Sequence, residues 1–220
     1  MALNKLKFNS LNVTPTAGKT IGFNSSADGL EATLSGGAMT FIKKLTASSS
    51  GTLSFVDGSS DVVLDNTYKE YLFIYNNIHP GTDNTNFQFN GSDDDSSHSY
   101  DVTKTTTYFN VLHKEDDASA SIQYQTGYDL AQSTDFQSIH VEVGADNDQS
   151  CSGYLHLFNP SSTTFVKHFI GVGSVAQSED RLYETFIAGY FNDTDDITAI
   201  QFKMSSGNID SGTITLYGIN

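Results

Sequence analysis

The chain has 220 residues, of which 37% are hydrophobic and 12% aromatic, and its formal net charge is −15. A chain of this length can bury the core of one large all-β domain. Because nucleic-acid-binding proteins need Lys and Arg to displace counterions from phosphates, the acidic balance excludes nucleic acid as an expected partner and disfavours an anionic membrane surface.

The N-terminal residues 1–37 are rich in Asn, Ser, Thr and Gly and contain only short apolar segments such as TIGF. This composition is typical of a segment that becomes ordered only against a partner. Gly36 and Gly37 mark a candidate boundary. The sequence therefore predicts an extended N-terminal arm, residues 1–37, followed by one domain, residues 38–220.

From Met39 onward, short runs rich in aromatic and β-branched residues alternate with turn-forming clusters, and helical periodicity is nearly absent. This pattern predicts an all-β fold, an antiparallel β-sandwich of jelly-roll-like form with about a dozen strands. The predicted strands are MTFIKKLT, GTLSFV, YKEYLFIYNN, NFQF, TTYFNVLHK, ASIQYQ, SIHVEV, GYLHLFN, TTFVKHFIGVG, LYETFIAGYF, ITAIQFKM and GTITLYGI.

Alternation within two of these runs predicts which side chains face the core. In YKEYLFIY, Tyr71, Phe73 and Tyr75 share one face of the strand. In AIQFKM, the apolar side chains face away from Gln201 and Lys203. Both patterns indicate one solvated and one buried face.

The stretch GYLHLFNPSSTTFVKHFI predicts a β-hairpin in which each arm carries one histidine. If Ser161 and Ser162 form the centre of the turn, His156 lies opposite Lys167, and His168 points to the other face. Two imidazoles cannot complete a tetrahedral zinc site, and no further ligand lies at a suitable strand position nearby. We therefore interpret both histidines as packing or surface residues.

Three acidic clusters raise the question of calcium, which takes six to eight oxygen ligands. None of them matches the EF-hand loop, because the glycine and the final glutamate are missing. Solvated loops are the alternative interpretation. If calcium binds, the loop that contains Asp146 and Asp148 is the first candidate; otherwise no cofactor is expected.

The sequence offers no catalytic motif. The G-x-S-x-G motif of hydrolases is absent, and the glutamates on predicted strands have no informative spacing for a glycosidase. Cys151, the only cysteine, has no basic neighbour that would activate it and no partner for an intrachain disulfide. We expect a protein that is not an enzyme.

No run approaches eighteen consecutive apolar residues, so no membrane span is predicted.

Tyrosines near Asn- and Asp-rich loops suggest a sugar-binding surface, because aromatic rings stack on pyranose rings while amides and carboxylates bind hydroxyl groups. A role in the core or at an interface is the alternative for each tyrosine. The candidates for glycan binding are Tyr100, Tyr108, Tyr124, Tyr128 and Tyr154.

Four segments of the chain resemble a group of structural proteins of tailed bacteriophages. They are YLFIYNNIHPGTDNTNFQF, KTTTYFNVLHKEDDASASIQYQTGYDLAQSTDFQ, DNDQSCSGYLHLFNPSSTTFVKHFI and AIQFKMSSGNIDSGTITLYGI, whose end is similar to the GTIxLYGI terminus of phage appendage proteins. The resemblance covers roughly residues 38–219 and implies a virion component without catalytic residues.

The resemblance leads to one principal expectation and one alternative. The principal expectation is a capsid-decoration or tail-fibre-type appendage subunit in the virion, with other virion proteins as partners, a homo-oligomeric state, and the arm as its anchor. The alternative is a phage adhesin that binds a host surface glycan through the β-sandwich. A glycan-degrading enzyme is a third, weaker hypothesis.

Overall fold

The computed structural model describes residues 20–23, 26, 28–33 and 38–220. The chain divides into two compact units, Met1–Ala38 and Met39–Asn220. All regular structure in the described residues is β-strand, which confirms the predicted fold class. No helix of the length and apolarity needed to cross a membrane occurs in this part of the chain.

The N-terminal unit contains one antiparallel pair of short strands, β1 (Thr20–Phe23) and β2 (Leu30–Thr33), with Thr20 opposite Thr33. Most of the predicted arm, residues 1–19, 24–25, 27 and 34–37, lies outside the described residues. Its role as an anchor therefore stays a prediction.

The second unit has twelve strands, and each of the predicted runs overlaps one of them. They are β3 (Met39–Thr46), β4 (Leu53–Val56), β5 (Glu70–Pro80), β6 (Thr85–Ser92), β7 (Lys104–Lys114), β8 (Ala120–Tyr124), β9 (Gln137–Val143), β10 (Cys151–Phe158), β11 (Lys167–Gln177), β12 (Arg181–Phe191), β13 (Ala199–Met204) and β14 (Ile209–Ile219).

The twelve strands form two layers with antiparallel pairing throughout. The larger layer has eight strands in the order β3-β14-β5-β10-β11-β12-β7-β8, and the smaller has four in the order β9-β6-β13-β4. A single residue pair, Gln177 opposite Val143, joins the layers between β11 and β9. The sheet is therefore nearly closed between β11 and β9, whereas β3, β4 and β8 each pair with one strand only.

The strand order is that of a jelly roll with additions. From β4 to β9 the chain passes repeatedly from one layer to the other, and β13 returns to lie between β4 and β6. The sets β3-β14-β5-β10 and β4-β13-β6-β9 have the order of the two jelly-roll sheets. The additions are β7 and β8, inserted after β6, and β11 and β12, inserted after β10, and they extend the larger layer beyond β10.

Aromatic side chains from the two layers interlock to form the core. Phe55 of β4 lies edge-on to Phe73 of β5 with ring centroids 5.3 Å apart, and Phe89 of β6 lies edge-on to Phe169 of β11 at 5.1 Å. All four rings are fully buried. Each contributes about 1.5–3 kcal/mol of hydrophobic stabilisation, so these contacts between layers account for much of the cohesion of the sandwich.

The predicted alternation is confirmed in both strands. Tyr71, Phe73 and Tyr75 are buried against the smaller layer, and Phe202 of β13 is buried against the larger one. Lys203 lies on the opposite face of β13, where it is partly exposed.

The predicted register of the histidine hairpin is wrong. His156 lies opposite Ile170, and Leu157 opposite Phe169, because the connection spans residues 159–166 instead of two serines. His168 is two residues from Ile170, so both histidines lie on the outer face of the larger layer. Nδ1 of His156 contacts Glu70 Oε1, which agrees with a surface role for this histidine.

Candidate functional site

The structure separates the five candidate tyrosines. Tyr100 and Tyr128 line the same surface cavity, whereas Tyr124 and Tyr154 lie on the outer face of the larger layer. Tyr108 is fully buried between the layers with its ring 5.5 Å from that of Tyr128. Tyr108 is therefore a core residue and has no ring face available to a glycan.

The cavity lies on the outer face of the smaller layer and has a volume of about 500 Å³. Its floor consists of outward-facing side chains from three adjacent strands: Asn86 and Gln88 on β6, Ser138 on β9 and Lys203 on β13. Its walls come from Tyr100 on one side and from the loop between β8 and β9 on the other, through Gly127, Tyr128, Leu130, Thr134, Asp135 and Phe136. This volume is within the range typical of small-molecule sites, ~300–1,000 Å³.

One buried amide connects the two walls of the cavity. Nδ2 of Asn90 donates a hydrogen bond to the backbone carbonyl of Tyr100 at 2.5 Å and another to that of Thr134 at 2.9 Å. Asn90 is fully buried, so both hydrogen bonds are shielded from water. Tyr100 itself has a φ of 53°, an unusual backbone conformation for a large side chain. The amide of Asn90 therefore fixes the separation of the walls.

Three further buried polar side chains hold the loop between β8 and β9. Lys104 Nζ donates to the carbonyl of Asp135 at 2.6 Å, and Gln137 Nε2 donates to the carbonyl of Tyr128 at 3.0 Å. Thr106 Oγ1 accepts a hydrogen bond from the backbone N–H of Leu130 at 2.8 Å. Burial lowers the pKa of Lys104 to about 8. The loop is thus preorganised from behind, while its outer side chains face the solvent.

The cavity combines aromatic rings with free polar groups. Among the described residues, the carboxylate of Asp135 and the hydroxyls of Tyr100 and Tyr128 make no hydrogen bond or ion pair with the protein. Lys203 Nζ lies 4.1 Å from the centroid of the Phe136 ring, a cation–π contact. Such a surface can stack on a flat ligand while it donates and accepts hydrogen bonds.

Sequence reasoning missed most of this cavity. Its floor and walls come from positions between residues 86 and 203, and no short motif unites them. The outward positions of Gln88 and Lys203 do follow from strand alternation. The sequence does not reveal that β6 and β13 are neighbouring strands, which places Gln88 directly opposite Lys203.

A second surface feature crosses the outer face of the larger layer. Six side chains, each directly opposite the next on the neighbouring strand, form an uncharged line that we call the apolar row: Ile74, Tyr154, Val172, Phe186, Phe109 and Tyr124. Phe109 and Phe186 stack with centroids 4.7 Å apart. Ile74, Phe109, Tyr154 and Tyr124 are 37%, 38%, 39% and 53% exposed.

Two of the acidic loops lie close together, since Asp193 and Asp195 act electrostatically on both Asp93 and Lys167. Asp146 and Asp148 are exposed in the loop between β9 and β10, and Asp148 lines a polar cleft with Asp210. Across residues 20–23, 26, 28–33 and 38–220, no group of three or more His, Cys, Asp or Glu side chains is placed to hold a metal ion. Calcium binding by Asp146 and Asp148 stays an untested prediction.

A lysine ammonium lies inside another acidic loop, the one that follows β12. Lys167 is buried, and its Nζ donates hydrogen bonds to the backbone carbonyls of Asp193, at 3.1 Å, and Asp195. Burial lowers the pKa of Lys167. Here a protein cation binds the loop carbonyls, a task that a metal ion performs in many acidic loops.

One buried histidine has two neutral partners. His140 is fully buried, with Nε2 2.9 Å from the Tyr75 hydroxyl and Nδ1 2.8 Å from Thr185 Oγ1. Burial lowers the pKa of His140 to about 3, so the ring is neutral at physiological pH. One ring nitrogen therefore donates and the other accepts a hydrogen bond.

Comparison with known proteins identifies no relative of the chain. It matches no protein-family model, no curated protein sequence and no solved structure.

Proposed function

We propose that the protein is a non-enzymatic structural subunit of a tailed-bacteriophage virion, a capsid-decoration or tail appendage protein docked through residues 1–37. The resemblance of four segments to phage structural proteins suggests this class. The observation that carries the proposal is the apolar row, because a continuous uncharged line across six strands of an otherwise acidic protein favours assembly with another protein.

The partner at the apolar row is a second copy of the chain. With a net charge of −15, two copies repel each other over most of their surfaces, and the row is a line where they can approach without opposing charges. Neighbouring strands lie about 4.8 Å apart, so a row of six strands extends roughly 24 Å. Two such faces can pack in the same way as the layers of a sandwich.

Ile74→Lys is expected to shift the full-length protein from an oligomer to a monomer. The lysine places a charge within the interface, at one end of the apolar row, where burial without a partner is costly. Ile74 is partly exposed, so the subunit itself should remain folded. Light scattering coupled to size-exclusion chromatography measures the mass, and circular dichroism checks the fold.

Ser174→Lys is the matched control, because Ser174 is an exposed residue on the same face of β11 but outside the apolar row. It should leave the mass unchanged. If the wild-type protein is monomeric at micromolar concentration, or if Ile74→Lys leaves the oligomer intact, the proposed interface is wrong.

The virion assignment is tested by the location of the protein. We expect the full-length chain in purified particles and its density at a fixed position by cryo-electron microscopy. A variant without residues 1–37 should keep the fold of Met39–Asn220, which forms a compact unit of its own, but should not be incorporated. Incorporation of the shortened chain would refute the anchor, and absence of the full-length chain from particles would refute the assignment.

A second candidate function is that of an adhesin that binds a host surface glycan. The cavity lined by Tyr100 and Tyr128 favours it, because aromatic rings there accompany unpaired polar groups within a preorganised loop.

A further inference from the structure

We infer that the cavity on the smaller layer is a binding site for a neutral saccharide. This inference specifies the site and ligand of the adhesin candidate, and it does not depend on the apolar row or on the virion assignment. The two surfaces lie on opposite layers, so one subunit can assemble through the larger layer and bind sugar through the smaller one.

The aromatic rings supply the first part of the recognition. Tyr100 and Tyr128 are both partly exposed and both line the cavity, and the ring of Tyr128 is backed by the core beside Tyr108. The apolar C–H face of a pyranose ring packs on such aromatic rings. The hydroxyl groups at the edge of the sugar remain free to form hydrogen bonds. Two tyrosine walls therefore favour a flat, amphipathic ring over a fully apolar ligand.

The polar groups supply the second part. Asp135 presents a carboxylate with two acceptor oxygens, a geometry that suits a pair of neighbouring hydroxyls. Nε2 of Gln88 donates a hydrogen bond to Ser138 Oγ at 3.3 Å. This contact orients the amide, and its carbonyl oxygen is free to accept a hydrogen bond from the ligand. Lys203 adds donors beside Phe136. This combination of donors and acceptors suits a sugar ring, whose hydroxyl groups both donate and accept hydrogen bonds.

The charge balance selects a neutral sugar. The cavity lining carries Lys203 and Asp135, and the buried Lys104 behind it is an electrostatic partner of Asp135. Outside it, the protein carries a net charge of −15, which repels uronic acids, sialic acids and sulfated glycans. A neutral hexose at the end or within a surface oligosaccharide meets no such repulsion.

The rigidity of the walls supports a binding role over a purely structural one. Asn90, Lys104 and Gln137 are all fully buried, and each donates a hydrogen bond to a carbonyl of the cavity walls. Because buried polar groups are costly unless every hydrogen bond is made, this arrangement fixes the walls in one geometry. A preorganised site loses less entropy when the ligand binds.

The test uses the full-length protein on an array of neutral and anionic glycans, followed by isothermal titration calorimetry with the best neutral oligosaccharide. Asp135→Asn and Tyr100→Asn should each weaken binding by roughly tenfold or more, as expected when a charge-assisted hydrogen bond or a stacking ring is removed. Asparagine tolerates the positive φ at position 100, so that variant should fold.

Phe165→Asn is the matched control, since Phe165 is an exposed aromatic residue in the connection between β10 and β11, outside both the cavity and the apolar row. Its binding should stay within about twofold of the wild type, a change below the effect of one ordinary hydrogen bond. The inference would be overturned by any of three results: no binding to neutral glycans, binding to anionic glycans alone, or unchanged binding by both cavity variants when these are folded. The oligomeric state of the Ile74→Lys variant is measured separately, so failure of the interface and failure of the glycan site are distinguishable.

Discussion

Gly173→Ala is expected to lower the free energy of unfolding by about 3 kcal/mol, the sum of overpacking and disrupted buried hydrogen bonds. A Cβ atom at position 173 would lie 2.6 Å from Nε2 of His140 and 2.6 Å from the hydroxyl of Tyr75. Those two atoms are hydrogen-bonded to each other inside the core. The methyl group therefore has to displace a satisfied polar pair, and urea unfolding followed by circular dichroism measures the cost.

The space for this pair comes from two glycines on neighbouring strands. Gly153 of β10 lies directly opposite Gly173 of β11, and a Cβ at Gly153 would lie 2.5 Å from the Tyr75 hydroxyl. Neither glycine has a positive φ, so the requirement is for space and not for an unusual backbone conformation. The effect of a side chain at either position should therefore grow with its volume.

Gly127→Ala is the control for the stability measurement. An added Cβ there meets no atom within 4 Å, so the stability should change by less than about 0.5 kcal/mol, the usual range for a surface substitution. Equal stabilities of Gly173→Ala and the wild type would show that the core can move aside and that the Tyr75–His140 contact is not rigid.

The strands were predictable because their pattern is local. In β5 the alternation of Tyr71, Phe73 and Tyr75 with less buried residues follows from the two-residue repeat of a strand, and the structure confirms it. The register of β10 against β11 was not predictable in the same way. It depends on the length of the connection, and the serines at 161 and 162 resemble a tight turn although they belong to a longer loop.

The buried polar side chains are also hidden in the sequence. His140 lies in QSIHVEV, and Lys104 begins KTTTYFNVLHK, at positions that would suit exposed residues equally well. Their burial results from the layer packed against them, which a strand pattern cannot reveal. Tyr100 and Tyr128, two of the candidate glycan-binding residues, line the cavity, and their binding of a glycan stays a prediction. Asp135 and Lys203 were not among the candidates, because their proximity depends on strand order.

Acidification is expected to destabilise the protein through His140 over the range from about pH 6.5 to pH 3. In the folded state the pKa of His140 is lowered to about 3, whereas in the unfolded chain it returns to the usual histidine value of 6.5. Between these values the unfolded chain binds a proton that the folded protein excludes. Stability is therefore lost as the pH falls, by about 1.4 kcal/mol per pH unit for this one group.

The contribution of His140 is isolated by comparing pH slopes between variants. His140→Gln should be less stable than the wild type at pH 7, since glutamine cannot reproduce both hydrogen bonds, but it should lose about 2–3 kcal/mol less on going from pH 7 to pH 4.5. His168→Gln, at an exposed position on β11, should keep the wild-type slope. The acidic residues are common to all three proteins, so their contribution cancels in the difference.

A direct titration distinguishes this linkage from a general acid effect. In the folded wild-type protein, the NMR signals of the His140 ring should stay those of neutral imidazole down to about pH 4, one unit above its lowered pKa. The measurement remains informative even if His140→Gln does not fold. Protonation of His140 near pH 6 in the folded protein, or identical pH slopes for His140→Gln and the wild type, would mean that the ring gains access to water. The contacts with Tyr75 and Thr185 would then not be maintained in solution.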